Sequence, residues 1–229
     1  MKNRSANSIF LDLKKLSKSN NGKQKLSFNF ESELLDYHSH LNSFSSQHYK
    51  LFEQLAHKLN LQDSINDLFN GEIVNKTENR QALHHQYRNH QAAPEFDFKK
   101  ITEPFIKRIK KDGFKNIITF GIGGSYEGPK LLQEFTNKES LKFNYYFVSG
   151  PDKDEFNSIL KPISDQKNFY IFSSKSLSTD ETLVCLRWLG TKRNSTNSIV
   201  ITANTEKAKT LGFNENCIVP FPETVGGRY

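Results

Sequence analysis

Two short segments carry residue types suited to holding an anion. The first is Gly121-Ile122-Gly123-Gly124-Ser125-Tyr126-Glu127-Gly128-Pro129, between the apolar run Ile117-Ile118-Thr119-Phe120 and a helical pattern over Lys130-Leu131-Leu132-Gln133-Glu134-Phe135. Glycines accept positive φ and let backbone N–H groups approach an anion closely. A helix start adds unpaired donors and the positive end of the macrodipole. The segment is no Walker A loop, because no Gly-Lys-Ser/Thr follows, and no dinucleotide fingerprint, because Tyr126 stands at the third glycine position counted from Gly121. A tight strand–helix turn that needs glycine only for packing is the alternative for this loop alone. The second segment, Ser173-Ser174-Lys175-Ser176-Leu177-Ser178-Thr179-Asp180-Glu181-Thr182, follows the apolar run Phe169-Tyr170-Ile171-Phe172. Clustered hydroxyls and one ammonium at an expected helix start suit a phosphate monoester dianion. Ser178 and Glu181 fit a capping box, which would turn Glu181 back onto the helix start. A capped helix with a solvated Lys175 is the alternative for that loop by itself. Together, on neighbouring strands, the two loops point to a small phosphorylated ligand rather than a nucleotide.

Other chemistries find little support. All seven His lie between His38 and His90, ahead of both loops, and neither Cys185 nor Cys217 has metal-ligand spacing. Helix-face or surface positions are expected for the histidines, and no metal site is. Gly123-Gly124-Ser125-Tyr126-Glu127 does not match the nucleophile-elbow pattern. Lys107, Arg108, Lys110 and Lys111 read as the solvated C-terminal end of a helix, where cations suit the dipole.

The elements that must position these loops follow from the apolar pattern. Ile117–Phe120, Tyr145–Val148, Phe169–Phe172 and Ser198–Ile201 are buried-strand candidates with helical spacing between them, and Cys217-Ile218-Val219 is a short fifth. Strands alternating with helices predict an α/β fold, a three-layer α/β/α sandwich with a parallel sheet. From Phe28 to Lys111 the pattern is helical and polar, with Phe44, Leu51, Leu55 and Leu59 at near-helical spacing. Thr77 is placed to cap a helix running on through Asn89. An N-terminal helical segment thus precedes the sheet.

The 229 residues contain 35% hydrophobic and 12% aromatic residues, including 19 Phe, enough bulky side chains for a core. No apolar run approaches the length of a membrane helix, and two Cys cannot make a disulfide scaffold. The net charge of +7 is concentrated: residues 1–27 contribute +6, leaving +1 for the remainder. The expected organisation is a flexible basic extension over 1–27, a helical N-terminal segment over 28–100 and an α/β domain over 101–229. A short apolar stretch, Ile9-Phe10-Leu11, is too small for a secretory leader.

Several blocks occur in order. Gly71-Glu72-Ile73-Val74-Asn75-Lys76-Thr77-Glu78-Asn79-Arg80-Gln81-Ala82-Leu83-His84 is similar to G-E-x-I-N-x-T-E-N-R-A-V-L-H. Gly121–Ser125 with Gly128-Pro129 is similar to G-I-G-G-S-x-L-G-P, and Phe147-Val148-Ser149 to the start of F-V-S-N. Ser174–Thr182 is similar to S-K-T-F-T-T-x-E-T, and Val225-Gly226-Gly227-Arg228-Tyr229 to V-G-G-R-Y/F-S. On these blocks, from about residue 70 onward, the sequence resembles the glucose-6-phosphate isomerase (phosphoglucose isomerase) family. It departs from the pattern at Tyr126-Glu127, at Gly150, and at Ser176 and Ser178, which replace threonines but keep the hydroxyls.

The resemblance implies two sugar-isomerase domains, of which residues 101–229 form the first. It implies that Ser174, Lys175, Ser176 and Thr179 grip the phosphate within a substrate-binding stretch that includes Leu177 and Ser178. Gly124 and Ser125 contact the sugar phosphate, Gly227 lies against it, and Arg228 stabilises the cis-enediolate between glucose 6-phosphate and fructose 6-phosphate. A guanidinium keeps its charge and presents fixed donors to such an oxyanion. No cofactor or metal, no nucleic acid and no membrane is implied; a complete member is expected to be a cytoplasmic homodimer. The family's proton-carrying glutamate, ring-opening histidine and a lysine fall beyond Tyr229. The 229 residues alone are therefore expected to bind without turnover, and to expose Phe44, Leu51 and Leu55, which would pack on a second domain. The rival readings are a non-catalytic sugar-phosphate-binding regulatory module and a nucleic-acid-associated protein using the basic tail.

Overall fold

The computed structural model describes residues 4–19, 26–33, 36–41, 44–88, 97–136 and 143–225. The chain divides into two compact units, Met1–Gln81 and Ala82–Tyr229, whereas the sequence pattern sets the start of the α/β domain at residue 101.

In the first unit, helix α1 (Ala6–Ser19) occupies most of the stretch where composition predicts a flexible extension. Its cause is a spacing hidden among polar residues: Ile9 and Leu13 are buried and Leu16 half-buried, one face at i, i+4 and i+7, while Lys14, Lys15 and Lys18 are exposed. Ser5 caps the start, its Oγ accepting from Ser8 N–H at 3.2 Å. An antiparallel hairpin, β1 (Leu26–Glu31) and β2 (Asp36–Leu41), stands where a helical pattern is expected. Helix α2 (Ser46–Lys58) packs against both α1 and α3 (Leu61–Asn70). Phe44, Leu51 and Leu55 are consequently half-buried rather than exposed. The exposed apolar side chains of this unit include Leu59, Leu61 and Phe69 instead.

His48, on a face of α2, is fully buried. Its Nδ1 accepts the Ser45 N–H at 3.1 Å and lies 2.9 Å from Ser45 Oγ, and its Nε2 lies 3.4 Å from Ser17 Oγ on α1. His48 thus meets the start of α2 with one ring nitrogen and α1 with the other, tying the two helices together. After Gly71 the Thr77 segment turns back on itself rather than starting a helix. Asn75 Oδ1 accepts from Thr77 Oγ1 at 2.9 Å and from Glu78 N–H at 3.3 Å, and Asn75 and Arg80 form a backbone bridge. A side-chain acceptor that takes the local N–H groups outcompetes helix formation there. The helix is confined to α4 (His84–Tyr87) in the second unit.

The second unit is a three-layer α/β/α sandwich. Its five strands are β3 (Asn116–Phe120), β4 (Asn144–Val148), β5 (Asn168–Ser173), β6 (Ser198–Thr202) and β7 (Ile218–Pro220). All neighbours are parallel, in the order β4-β3-β5-β6-β7. Alternate residues supply the two faces. Ile118, Phe120, Tyr170, Phe172 and Val200 pack with α7 (Lys153–Leu160), α8 (Asp180–Leu189) and α9 (Thr205–Thr210). Ile117, Phe169, Ile199 and Val219 pack with α5 (Phe98–Lys111) on the other face. The connection from β3 to β4 is α6 (Gly124–Phe135), whose Tyr126 meets Phe147 edge-on at 6.1 Å.

At the amino ends of the first three strands in chain order, an asparagine opens each one, and the register aligns them. Asn116 Nδ2 donates to Asn168 Oδ1 at 2.8 Å and to Gln166 Oε1 at 2.9 Å, while Asn144 Nδ2 donates to Asn116 Oδ1 at 2.9 Å. Asn116 is fully buried. Asn116→Leu keeps the volume but strands one or two buried amide groups, at about 1–3 kcal/mol each. Urea unfolding is expected to show a loss of roughly 2–4 kcal/mol with an unchanged m-value. Asn144→Ala, at an exposed position, is expected to cost less than about 1 kcal/mol.

Candidate functional site

The strand order determines where a ligand fits. The chain leaves β3 toward β4 on one side, then crosses back to lay β5 on the other side of β3. Loops leaving β3 and β5 thus diverge to opposite faces and open a crevice at the carboxyl edge, the switch point where open α/β sheets bind ligands. Both loops singled out by their residue types sit there.

The β3 loop is short. Gly121 continues the ladder, its N–H donating to Val148 C=O at 3.2 Å, and α6 begins at Gly124. A Cβ on Gly121 would lie 2.8 Å from the Ser125 carbonyl oxygen, so only glycine lets the helix start this close to the strand end. Gly123 has φ 57° and ψ −128°, a conformation that L side chains rarely adopt. The outcome is an α6 amino end held at the crevice, with Gly124 and Ser125 in its first turn.

The β5 loop is tied down by its own hydroxyls and backbone. Ser174 N–H donates to Ile201 C=O at 3.1 Å, and the Lys175 carbonyl accepts from Ala203 N–H and Thr202 Oγ1, both at 2.9 Å. Ser174 Oγ, nearly buried, accepts from Leu177 N–H at 3.2 Å and lies 3.3 Å from Thr179 Oγ1. Ser176 and Ser178 hydroxyls pair at 2.6 Å. Leu177 has φ 49° and its side chain is 1% exposed within the core of the sheet's α7–α9 face. Its side chain is therefore an anchor, and a ligand could meet only its backbone. The cap of α8 is Thr179, with no side-chain cap bond, so the Ser178–Glu181 capping box does not form. Ser178 is instead engaged with Ser176.

These parts enclose a cavity of about 170 Å³ lined by Ile122, Gly124 and Ser125 from the first loop and by Ser173, Ser174, Lys175, Ser176, Thr179 and Thr182 from the second. Its chemistry is hydroxyls, one lysine and the starts of two helices, with no carboxylate and no imidazole in the lining. Such a set suits an anion and offers no general base. Ser178 lies outside the lining, and Gly227 and Arg228 lie outside the described residues. Glu127 and Tyr126, which depart from the family pattern, are also off the lining. Glu127 is exposed, and Tyr126 accepts from Lys130 Nζ at 3.1 Å. That contact raises the Lys130 pKa through the phenol hydrogen bond first. Three lining residues, Ile122, Ser173 and Thr182, carry no individual role in the sequence analysis. The signal for Thr182 is its place three residues after Thr179, on one face of a helix's first turn.

A larger cavity, about 660 Å³, opens at the opposite edge of the sheet, between Phe114, Lys167, Asn168 and Asn197. Parallel strands present their amino ends there, without the converging helix starts that suit an anion. Nucleophilic chemistry by cysteine has no support either. Burial pushes the Cys185 thiol up to about 11, with Glu155 adding to it, so it stays protonated at neutral pH. Among the described residues no cluster of three His, Cys, Asp or Glu could hold a metal, and no helix is long and apolar enough to cross a membrane.

Comparison with known proteins gives the family. A family model described as Phosphoglucose isomerase matches residues 36–229. A glucose-6-phosphate isomerase from Buchnera aphidicola subsp. Cinara cedri is 32% identical over 216 residues, which is 82% of this chain and 40% of the relative. One from Zymomonas mobilis subsp. mobilis is 30% identical, covering 90% of this chain and 41% of the relative. The crystal structure of a glucose-6-phosphate isomerase from Chlamydia trachomatis superposes over 81% of this chain and 40% of its own length, with a TM-score of 0.62 at 20% identity, a likeness of fold. The chain spans about 40% of the length of the curated relatives it matches. With the family model spanning most of its residues, this chain belongs to the phosphoglucose isomerase family.

Proposed function

We propose that the chain supplies the phosphate-binding part of a glucose-6-phosphate isomerase, which interconverts glucose 6-phosphate and fructose 6-phosphate through a cis-enediol intermediate. One observation carries the reading: Ser174, Lys175, Ser176 and Thr179 line one cavity with Gly124 and Ser125 at the sheet's switch point. A phosphate dianion there would meet the Lys175 ammonium, several hydroxyl donors and the amino end of α8. Gly124 and Ser125, at the start of α6, are positioned for the sugar that extends outward from that phosphate. Leu177 and Ser178 shape the loop from behind, through the core anchor and the Ser176 hydroxyl.

Isomerisation moves a proton between C1 and C2 while the neighbouring oxygens carry transient negative charge. Lys175 and the loop hydroxyls hold the far end of the substrate and so fix the position of C1 and C2. Gly227-Arg228 is proposed to supply the guanidinium that stabilises the enediolate. The base and the ring-opening acid come from outside the described cavity. The lining's lack of any carboxylate or imidazole also favours, as a second reading, a sugar-phosphate-binding module that regulates rather than catalyses. Assembly of the whole protein as a homodimer and residence in the cytoplasm complete the proposal.

Calorimetric titration with fructose 6-phosphate and with fructose tests the phosphate assignment. Lys175→Ala and Ser174→Ala are each expected to weaken fructose 6-phosphate binding about ten- to a hundredfold, the range for hydrogen bonds to charged groups. Fructose itself should be little affected; equal losses for both ligands would refute the assignment. In a coupled assay, a polypeptide of residues 1–229 is expected to bind fructose 6-phosphate yet turn it over at background. Positioned acid–base groups contribute about 10²–10⁴-fold each, and none lines this cavity. Robust conversion by that polypeptide would overturn the division of labour.

A further inference from the structure

Thr182 sits one residue beyond the acidic pair that opens α8. The residue is 4% exposed, its hydroxyl has no hydrogen-bond partner, and it is among the residues that line the crevice cavity. A threonine inside a helix ordinarily bonds the carbonyl three or four residues back. Here that bond is not made. A buried hydroxyl without a partner costs the unliganded fold the desolvation of that group. A valine would fill the same space without that cost, so the hydroxyl is a stability defect on a residue that lines the crevice cavity. Such defects are characteristic of functional sites.

The cavity's size says what enters it. At about 170 Å³ it is well below the ~300–1,000 Å³ of pockets that enclose whole small molecules. The compact charged end of a ligand enters and the remainder stays outside. Thr179 and Thr182 share one face of the first turn of α8, with Thr182 the deeper of the two by three residues. Thr179 Oγ1 is already within reach of Ser174 Oγ at 3.3 Å, whereas the Thr182 hydroxyl retains its full capacity to donate.

Resting on the reading of this cavity as a phosphate site, we infer that Thr182 is a further phosphate-binding residue, its Oγ1–H donating to a phosphate oxygen in the cavity. In the unliganded protein the hydroxyl weakens the fold. In the complex it gains a charge-assisted bond, so part of the selectivity for phosphate over uncharged ligands comes from relief of that defect.

The test compares Thr182→Val and Thr182→Ser with the unaltered protein. Inorganic phosphate and fructose 6-phosphate are titrated by calorimetry, and thermal unfolding is followed without ligand. Thr182→Val is expected to weaken both ligands about tenfold or more, by the range for bonds to charged groups, and to unfold at the same or a higher temperature. Thr182→Ser should keep binding within about threefold, since the donor is retained. Thr182→Val binding both ligands as tightly as the unaltered protein would overturn the inference. So would Thr182→Ser losing binding as fully as Thr182→Val, which would mark a packing role. Lys175→Ala separates the two levels. If it abolishes binding while Thr182→Val does not, the phosphate site stands and Thr182 has no part in it. If the unaltered protein binds neither ligand, the phosphate reading itself falls.

Discussion

The lateral pairing of β3 with β5 is the constraint on which the rest of the second unit depends. These strands are separated in sequence by β4 and two helices, yet they align from Asn116 opposite Asn168 to Phe120 opposite Phe172. The ladder is fastened at both ends by side chains, an amide bond between the asparagines and stacked rings of Phe120 and Phe172 at 4.8 Å. Because helices leave the two strands toward opposite faces, the aligned carboxyl ends cannot be bridged by a short loop. A slip of one residue would put Ile117 on the Phe120 face and carry the glycine loop away from the serine loop. The crevice is a product of register and handedness before any particular side chain enters it.

Within the crevice, backbone and side chains divide the work. Gly121 has no Cβ where α6 starts against the strand end, and the Lys175 carbonyl is held by two donors from the end of β6. The acidic pair Asp180-Glu181 in the first turn of α8 is compatible with an anion nearby because neither lines the cavity. Their charges favour the helix start from outside. In the first unit, His48 plays a comparable organising part, one ring meeting partners from two helices.

The sheet is legible in the sequence because strands buried on both faces read as continuous apolar runs; all five runs lie within or overlap the strands found, with boundaries shifted by a residue or two. The loops stand out by residue type for a similar reason, since few environments ask for glycines and hydroxyls directly after such runs. What is hidden is whatever depends on tertiary context. The apolar face of α1 is diluted by polar neighbours, whereas β1, Leu26-Ser27-Phe28-Asn29-Phe30-Glu31, alternates apolar and polar residues and is legible as a strand that the helical reading of this stretch passes over. Thr77 has the residue type of a helix cap, but Asn75 takes the N–H groups first. Leu177 reads as part of a polar binding stretch, although its side chain belongs to the core. Thr182 closes the hydroxyl-rich segment in the sequence without a role of its own, and only its burial and its missing partner, seen together, single it out.

Leu177 makes the binding loop and the hydrophobic core one mechanical body. A leucine held at positive φ is conformationally unfavourable, and it persists because its side chain is locked among the buried residues and its N–H meets Ser174 Oγ. The loop therefore has no soft hinge at its centre, and opening it would expose core to water. A ligand bound as proposed would find the loop's donors already in place, with little ordering entropy spent on closure. The reverse also holds: packing defects propagated through the α7–α9 side of the sheet would blur the geometry of the site while leaving every polar residue of the loop intact.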